Sequence, residues 1–397
     1  MKTFKCLLIA VAGLALAACS DDSDSDLTKT ETSSSSAEET SSAAVAVDYT
    51  AGRTMNARLG RGINMGNSWD SKHSSYDADD GTYNYGGTDN LDANWSNPID
   101  DSYFQIVADA GFNSIRLPVR WQHNSNPETH TVSDERLAGV KEDVQLAIDA
   151  GLAVILDFHH YEELMTAASN YTTDTEAYEA EKLHFVSLWN QISAEFESFP
   201  DSLLVYDLLN EPQFSSTDAL NDLLLSAYAV VRANSPGKTI MFESKEYAKL
   251  YNIDDLTLPE DGNIIFSGHY YEPYKFTHQD QGSGYDCDGD DAYDVTVSSD
   301  FLEYITLAQS LYPDVNGGYI PINVGEFGVA GSTSSCGSSA PSETKRILWT
   351  KKVITAAEKY DMSWHYWDFA NASGFEIFDT DTETWFSGFI ENMISDD

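Results

Sequence analysis

Two glutamates stand where the chain could do acid–base chemistry. Glu211 follows Leu203-Leu204-Val205-Tyr206-Asp207-Leu208-Leu209-Asn210 and precedes Pro212. Glu326 lies in Gly325-Glu326-Phe327-Gly328, directly after Tyr319-Ile320-Pro321-Ile322-Asn323-Val324. Both apolar runs are short and almost unbroken, the pattern of a parallel strand buried on both faces, and Pro212 cannot continue a ladder. Each carboxylate is therefore expected at the carboxyl end of a buried strand, where the loops of an α/β sheet or barrel build active sites. The low-dielectric wall beneath Glu211 is expected to favour its protonated form, which suits a general acid. The glycines flanking Glu326 are expected to let a ligand approach the backbone. Two carboxylates so placed are what cleavage of a glycosidic bond needs. Taken alone, Glu211 could equally cap the next helix.

Further polar and aromatic residues fall at the same ends of other apolar runs. Asn64 and Asn67 flank Gly66; Arg116 sits in the second run; His159, His160 and Tyr161 follow Asp157; His269, Tyr270 and Tyr271 close the sixth; Trp367 closes the eighth. Each has a bland explanation in core packing, but their coincidence at one end of successive strands does not. Arg116 is expected to keep a nearby carboxylate ionised, and His159, His160 and Asn210 to hydrogen-bond hydroxyls. Tyr271 is expected to position a nucleophile, and Trp367 to floor the subsite where the bond is cut.

Positioning these residues requires a regular frame. Apolar runs at residues 62–65, 114–119, 153–158, 204–209, 239–243, 264–268, 320–324 and 363–367 predict eight strands. Helical segments are expected between them at 101–110, 134–150, 175–197, 217–233, near Tyr251, 299–311 and 342–360, with a last one at 387–394. Strict alternation implies βα units and a parallel sheet, and eight units is the count of the closed (β/α)8 TIM barrel, with a doubly wound open sheet as the alternative. The long irregular stretches, 70–94, 273–297 and 328–341, all follow strands and so decorate the catalytic face. The first is rich in Tyr and Gly, and Tyr76, Tyr83 and Tyr85 are candidates for stacking on sugar rings.

Composition limits the partners. The chain of 397 residues carries 22 Lys and Arg against 65 Asp and Glu, a formal charge of −43. Repulsion of that size argues against nucleic acid or an anionic membrane surface, whereas a neutral polymer is indifferent to it. Lys2 and Lys5 precede an apolar run, 7–18, too short to span a bilayer, which ends in Leu16-Ala17-Ala18-Cys19. This reads as a secretion signal over residues 1–18, and the small residues before Cys19 resemble a bacterial lipobox in which that cysteine takes the lipid. The expected location is therefore the bacterial envelope, anchored only through Cys19, with cell-surface display a further step. Residues 19–48 are Ser, Thr, Asp, Glu and Ala, too polar to fold, and are expected to be a tether ahead of a catalytic domain at 49–397. Cys6 leaves with the signal, which leaves Cys287 and Cys336; in an exported domain such a pair suggests one disulfide, across loops after neighbouring strands. No cysteine or histidine spacing supports a metal site.

From Arg61 to Phe389 the chain resembles the glycoside hydrolase family 5 cellulases. The resemblance is carried by Gly62-Ile63-Asn64-Met65-Gly66-Asn67, Ala110-Gly111-Phe112-Asn113-Ser114-Ile115-Arg116-Leu117-Pro118, His159-His160-Tyr161-Glu162-Glu163-Leu164-Met165, Asn210-Glu211-Pro212, His269-Tyr270-Tyr271-Glu272-Pro273 with Phe276-Thr277-His278-Gln279, Gly325-Glu326-Phe327-Gly328 and Tyr366-Trp367-Asp368-Phe369. It implies a (β/α)8 barrel acting on β-1,4-linked polysaccharide, cellulose or mixed β-glucan, with mannan and xyloglucan open. It further implies retention by double displacement, with Glu211 as acid/base and Glu326 as nucleophile, and no cofactor; apart from the resemblance, a monomer is expected. The alternatives are a glycan-binding lipoprotein without catalysis and a transglycosylase on the same site.

Overall fold

The computed structural model describes residues 44–71, 97–279, 286–370 and 374–394, with backbone alone at 76–77 and 82–83. Eight short strands form because their residues are buried on both faces, so continuous Val, Ile and Leu runs suit them. They are β1 (Arg61–Asn64), β2 (Ser114–Val119), β3 (Ala153–Phe158), β4 (Leu204–Asp207), β5 (Thr239–Glu243), β6 (Ile264–His269), β7 (Ile322–Phe327) and β8 (Ser363–Tyr366). All pair in parallel in chain order, and β8 returns to β1 through Arg61↔Trp364 and Gly62↔His365 to close the barrel. The expected (β/α)8 fold is the one observed, and the open sheet is excluded.

The helices that cover the barrel include α2 (Ser102–Asp109), α3 (Asp134–Asp149), α4 (Glu162–Ser169), α5 (Thr175–Glu195), α6 (Thr217–Asn234), α7 (Val297–Leu311), α8 (Glu343–Lys359) and α9 (Phe389–Met393). Several start where a side chain satisfies a free backbone N–H: Ser133 accepts from Arg136, Asp174 from Ala177, Ser216 from Ala219 and Ser342 from Lys345. Among the described residues, two helices of eight or more residues were not expected. One is α4; the other is α1 (Thr50–Leu59), which plugs the bottom of the barrel, where Met55 and Leu59 pack against Ala153, Ile155, Val205, Met241 and Ile265. Its Gly52 lies so close to the carbonyl of Ile264 that a Cβ there would sit 2.4 Å from the oxygen. The helix expected near Tyr251 is a 3-10 segment, Leu250–Asp255.

Two strand boundaries differ from expectation in ways that matter. β4 ends at Asp207, so Glu211 stands beyond the strand in a loop; β7 starts after Pro321, which has no N–H to give, and runs through Glu326. Register shifts fall at Gly268/His269 and between Val324 and Phe327, so irregular ladders flank both His269 and Glu326. Such bulges re-aim side chains near active sites.

The polar stretch expected as a tether already pairs at its end: Val47 N–H donates to Pro313 O, and Val47 O accepts from Val315. The signal segment, Cys19 and residues 19–43 lie outside the described residues. So do Tyr85 and the side chains of Tyr76 and Tyr83, although the backbones of the latter two pair in a small ladder. Cys287 and Cys336 are bonded, with Cα atoms 5.5 Å apart. Among the described residues no helix is long and apolar enough to cross a membrane.

Candidate active site

At the carboxyl end of the barrel lies an open cavity of about 620 Å³, lined by His159, His160, Asn210, Glu211, His269, Tyr271, Glu326 and Trp367 among others. Glu211 and Glu326 face each other across it: one carboxylate oxygen from each and a ring nitrogen of His269 all lie within 4.8 Å of one another. Glu326 accepts from Arg116 Nη1 at 2.8 Å and from Tyr271 OH at 2.9 Å. Glu211 bonds His269 Nδ1 at 3.0 Å, and its backbone, at φ 47°, is held by a 2.7 Å bond from its N–H to Glu243 Oε2.

Beneath this pair lies a buried charge network. The Arg116 guanidinium, 0% exposed, meets Asp157 at 3.1 Å, Glu243 at 3.5 Å and Asp207 at 3.7 Å in addition to Glu326, and it donates to Asn64 Oδ1 and Asn210 Oδ1. Burial pushes Asp157 and Asp207 well above the usual carboxylate range despite Arg116. Burial alone would depress His269, but Glu326 and Glu243 beside it hold it well above the ordinary imidazole value, with its Nε2 3.3 Å from Glu243.

The titration of the two glutamates differs from the sequence expectation. Burial does push Glu211 up, as expected, but the His269 hydrogen bond and charge outweigh it and hold Glu211 below the ordinary value. Glu326 is pushed up by burial, with the charges of Glu211 and Glu243 adding to it against His269 and Arg116. The apolar wall was visible in the sequence; the imidazolium that overrides it was not. The shifts run in opposite directions across the His269–Glu211 hydrogen bond, His269 raised and Glu211 lowered.

Other expected site residues sort into two groups. His159, His160, Asn210, His269, Tyr271 and Trp367 line the cavity, and Asn210 Nδ2 has no hydrogen-bond partner among the described residues. Trp367 lies over Gly66, where a Cβ would come within 2.5 Å of the indole, and it stacks on His159 with 4° between the planes. Asn64 and Arg116 instead lie below the cavity floor. Asn64 donates to the carbonyls of Gly325, His365 and Tyr366, so both residues position other groups rather than touch a ligand, which corrects their expected role in substrate binding. The glycines near Glu326 also serve neighbours rather than a ligand: a Cβ on Gly325 would meet Ser267, and one on Gly328 would meet the Trp367 carbonyl at 2.2 Å.

Sequence reasoning passed over Glu243, although it ends the fifth predicted strand just as Glu326 sits at the end of the seventh. It also passed over a turn at residues 246–248, all three with positive φ and none of them glycine. Left-handed backbone costs such residues about 1–2 kcal/mol each, and nothing in Glu246-Tyr247-Ala248 announces it.

Comparison with known proteins places these features in a family. Residues 76–373 match the model of "Cellulase (glycosyl hydrolase family 5)". The chain is 26% identical to Endoglucanase A of Ruminococcus albus over 84% of its length and 89% of the relative's. Among solved structures, Thermotoga maritima Cel5A in complex with cellobiose is 28% identical with a TM-score of 0.68, over 86% of this chain and 100% of that one. The same enzyme in complex with a mannotriose substrate gives 28% and 0.67 over the same shares.

Proposed function

Since the chain belongs to the cellulases of glycosyl hydrolase family 5 and is a glycosidase, we propose that it is a retaining endo-β-1,4-glucanase in which Glu326 is the nucleophile and Glu211 the acid/base. The observation that carries this reading is the separation of the two carboxylates, whose nearest oxygens lie within 4.8 Å. A retaining pair stands about 5–5.5 Å apart, whereas an inverting pair needs roughly 6.5–9.5 Å to admit a water.

In the first step a Glu326 oxygen attacks the anomeric carbon while Glu211 gives a proton to the glycosidic oxygen; the C–O bond breaks and a glycosyl ester forms. Arg116 and Tyr271 aim the Glu326 carboxylate, and His269, bonded to Glu211, is the reserve from which Glu211 draws the proton it gives up, so Glu211 ends the step as a carboxylate. In the second step Glu211 takes a proton from water, the hydroxide oxygen attacks the same carbon, and Glu326 departs. The unpartnered Asn210 Nδ2 and the His159 and His160 rings are placed to bond sugar hydroxyls, and Trp367 to carry a ring at the cleavage point. A binding role without catalysis is set aside, because the chain is a family 5 glycosidase and retains both carboxylates.

The preferred polymer is glucan, with mannan as the second substrate, supported by the cellobiose and mannotriose complexes of the Thermotoga relative. Export and a lipid anchor at Cys19 are proposed alongside, on the lipobox alone. Reducing-end release across β-glucans, xyloglucan and mannan, with the anomer of the first product followed by NMR, tests the reading. Appearance of the α-anomer first rejects retention.

A further inference from the structure

The strained turn at residues 246–248 begins two residues beyond Ser244 and three beyond Glu243, and its conformation is fixed from several directions. Glu246 has φ 58° and ψ 54°, Tyr247 φ 67° and ψ 40°, and Ala248 φ 53°. Ser244 Oγ donates to Lys249 O at 2.8 Å, Asn252 Nδ2 to Lys245 O at 3.2 Å, and Lys245 Nζ pairs with Asp255 at 3.1 Å. Ala248 is fully buried against β6, and Lys249 bridges to His269. Strand β6 makes way for it with Gly268, where a Cβ would meet Leu250 at 2.7 Å and the Ala248 carbonyl at 2.8 Å. Backbone held this firmly in a costly conformation persists where it serves a site.

What it presents is an aromatic ring. Tyr247 is 53% exposed and Tyr251, a few residues on, is 40% exposed, with Lys249 Nζ 5.5 Å from the Tyr251 ring; both tyrosines line the cavity that holds Glu211 and Glu326. Tyr274, also 40% exposed, faces the same cavity from the loop after β6, its ring stacked on His278. Large apolar rings left in water at a cleft rim mark a binding surface. Their side of the cleft is set by topology. They follow β5 and β6, next to Glu211 after β4, whereas the Trp367–His159 stack is built from β8 and β3 and rests on Gly66 after β1.

We propose that the left-handed turn holds Tyr247, together with Tyr251, as a stacking wall for the sugar units on the leaving-group side of the cleaved bond. This rests on the assignment of Glu211 as the acid, because the sugar whose oxygen Glu211 protonates is the one that leaves. The wall binds the departing chain before cleavage, and afterwards it is where an acceptor sugar would dock to intercept the glycosyl ester in place of water.

The test compares a β-1,4-linked glucohexaose, which fills both sides of the cleft, with 2,4-dinitrophenyl β-cellobioside, which has no sugar on the leaving side. Tyr247→Ala is expected to lower kcat/KM on the hexaose by about tenfold more than on the aryl substrate, chiefly through KM. Tyr247→Phe keeps the ring and is expected to keep the hexaose activity. Tyr247→Gly suits the positive φ, so it should melt no lower than the parent while losing hexaose activity as Ala does. Equal losses on the two substrates, or a Phe variant as weak as the Ala variant, overturns the proposal while the aryl turnover leaves the enzymatic reading standing. A parent protein that cleaves neither substrate overturns both.

Discussion

Glu243 makes no contact with any group placed to touch a sugar except through hydrogen bonds from below, yet three features of the site meet at its carboxylate. It holds the positive-φ backbone of Glu211, lies 3.3 Å from His269 Nε2 and 3.5 Å from Arg116. The charge and hydrogen bond of His269, with Arg116, keep it below the ordinary carboxylate value against burial. Glu243→Gln keeps the shape and removes the charge that helps raise His269. His269 should then lose its proton at lower pH, so the alkaline limb of the pH–rate profile moves acidward by about one unit, a tenfold loss at the old limb. A uniform fall in kcat with an unmoved profile would mean a purely structural role. For the proposed nucleophile, Glu326→Ala should abolish turnover. Glu211→Ala should cripple substrates with poor leaving groups by about 10²–10⁴ while sparing activated aryl glycosides, whose turnover azide restores in part. Equal losses on both substrate classes would remove Glu211 from the acid/base role.

Among the elements, α1 and the loop disulfide act at opposite ends of the barrel. Leu59→Ala in α1 opens space among fully buried neighbours and should cost about 2–5 kcal/mol, seen as a lower melting temperature with KM unchanged. The Cys287–Cys336 bond closes a loop worth about 4 kcal/mol by chain entropy. The rim, however, is also clipped by Gln279 to Gly289 and by Ser342 to Asp290. Replacing both cysteines by serine should therefore weaken affinity for long substrates more than it lowers the melting temperature. These elements differ in how far they were legible. β2, β3 and β5 match their sequence limits to the residue, because a strand buried on both faces writes itself as an unbroken apolar run. Thr50–Leu59 does not, since a plug needs only one apolar edge and its Gly52, Arg53 and Asn56 interrupt the apolar pattern that marks a helix. The left-handed turn was invisible because the constraint comes from Gly268 on another strand, not from its own residues.

At the scale of the molecule, protonation sets the stability window. Burial holds His160, His184 and His278 down at about 4 and His365 at about 3, and holds His159 well below the ordinary value. Unfolded, these five take protons below about 6.5, so the unfolded state binds more protons and stability falls as the pH drops from there through 4. His269 runs the other way. Its folded value is raised, so its contribution is complete below about 6.5 and is lost as the pH rises through that folded value, and the raised Asp157 and Asp207 add to the loss. Denaturant midpoints across pH 4–9 should pass through a maximum near 6–7; a monotonic rise toward alkaline pH would contradict the His269 assignment. The same closed ring has a consequence for how the chain comes off the ribosome. Asn64 is tied to His365, 301 residues away, and β1 finds its second neighbour only when β8 exists. Until then both edge strands stand open and the pocket lacks its tryptophan, so the newborn chain is an incomplete cylinder for nearly its whole synthesis. Its slowest and most perilous moment is the joining of a seam between its two ends, and a stop codon placed just before Ser363 should yield aggregate rather than a weak enzyme.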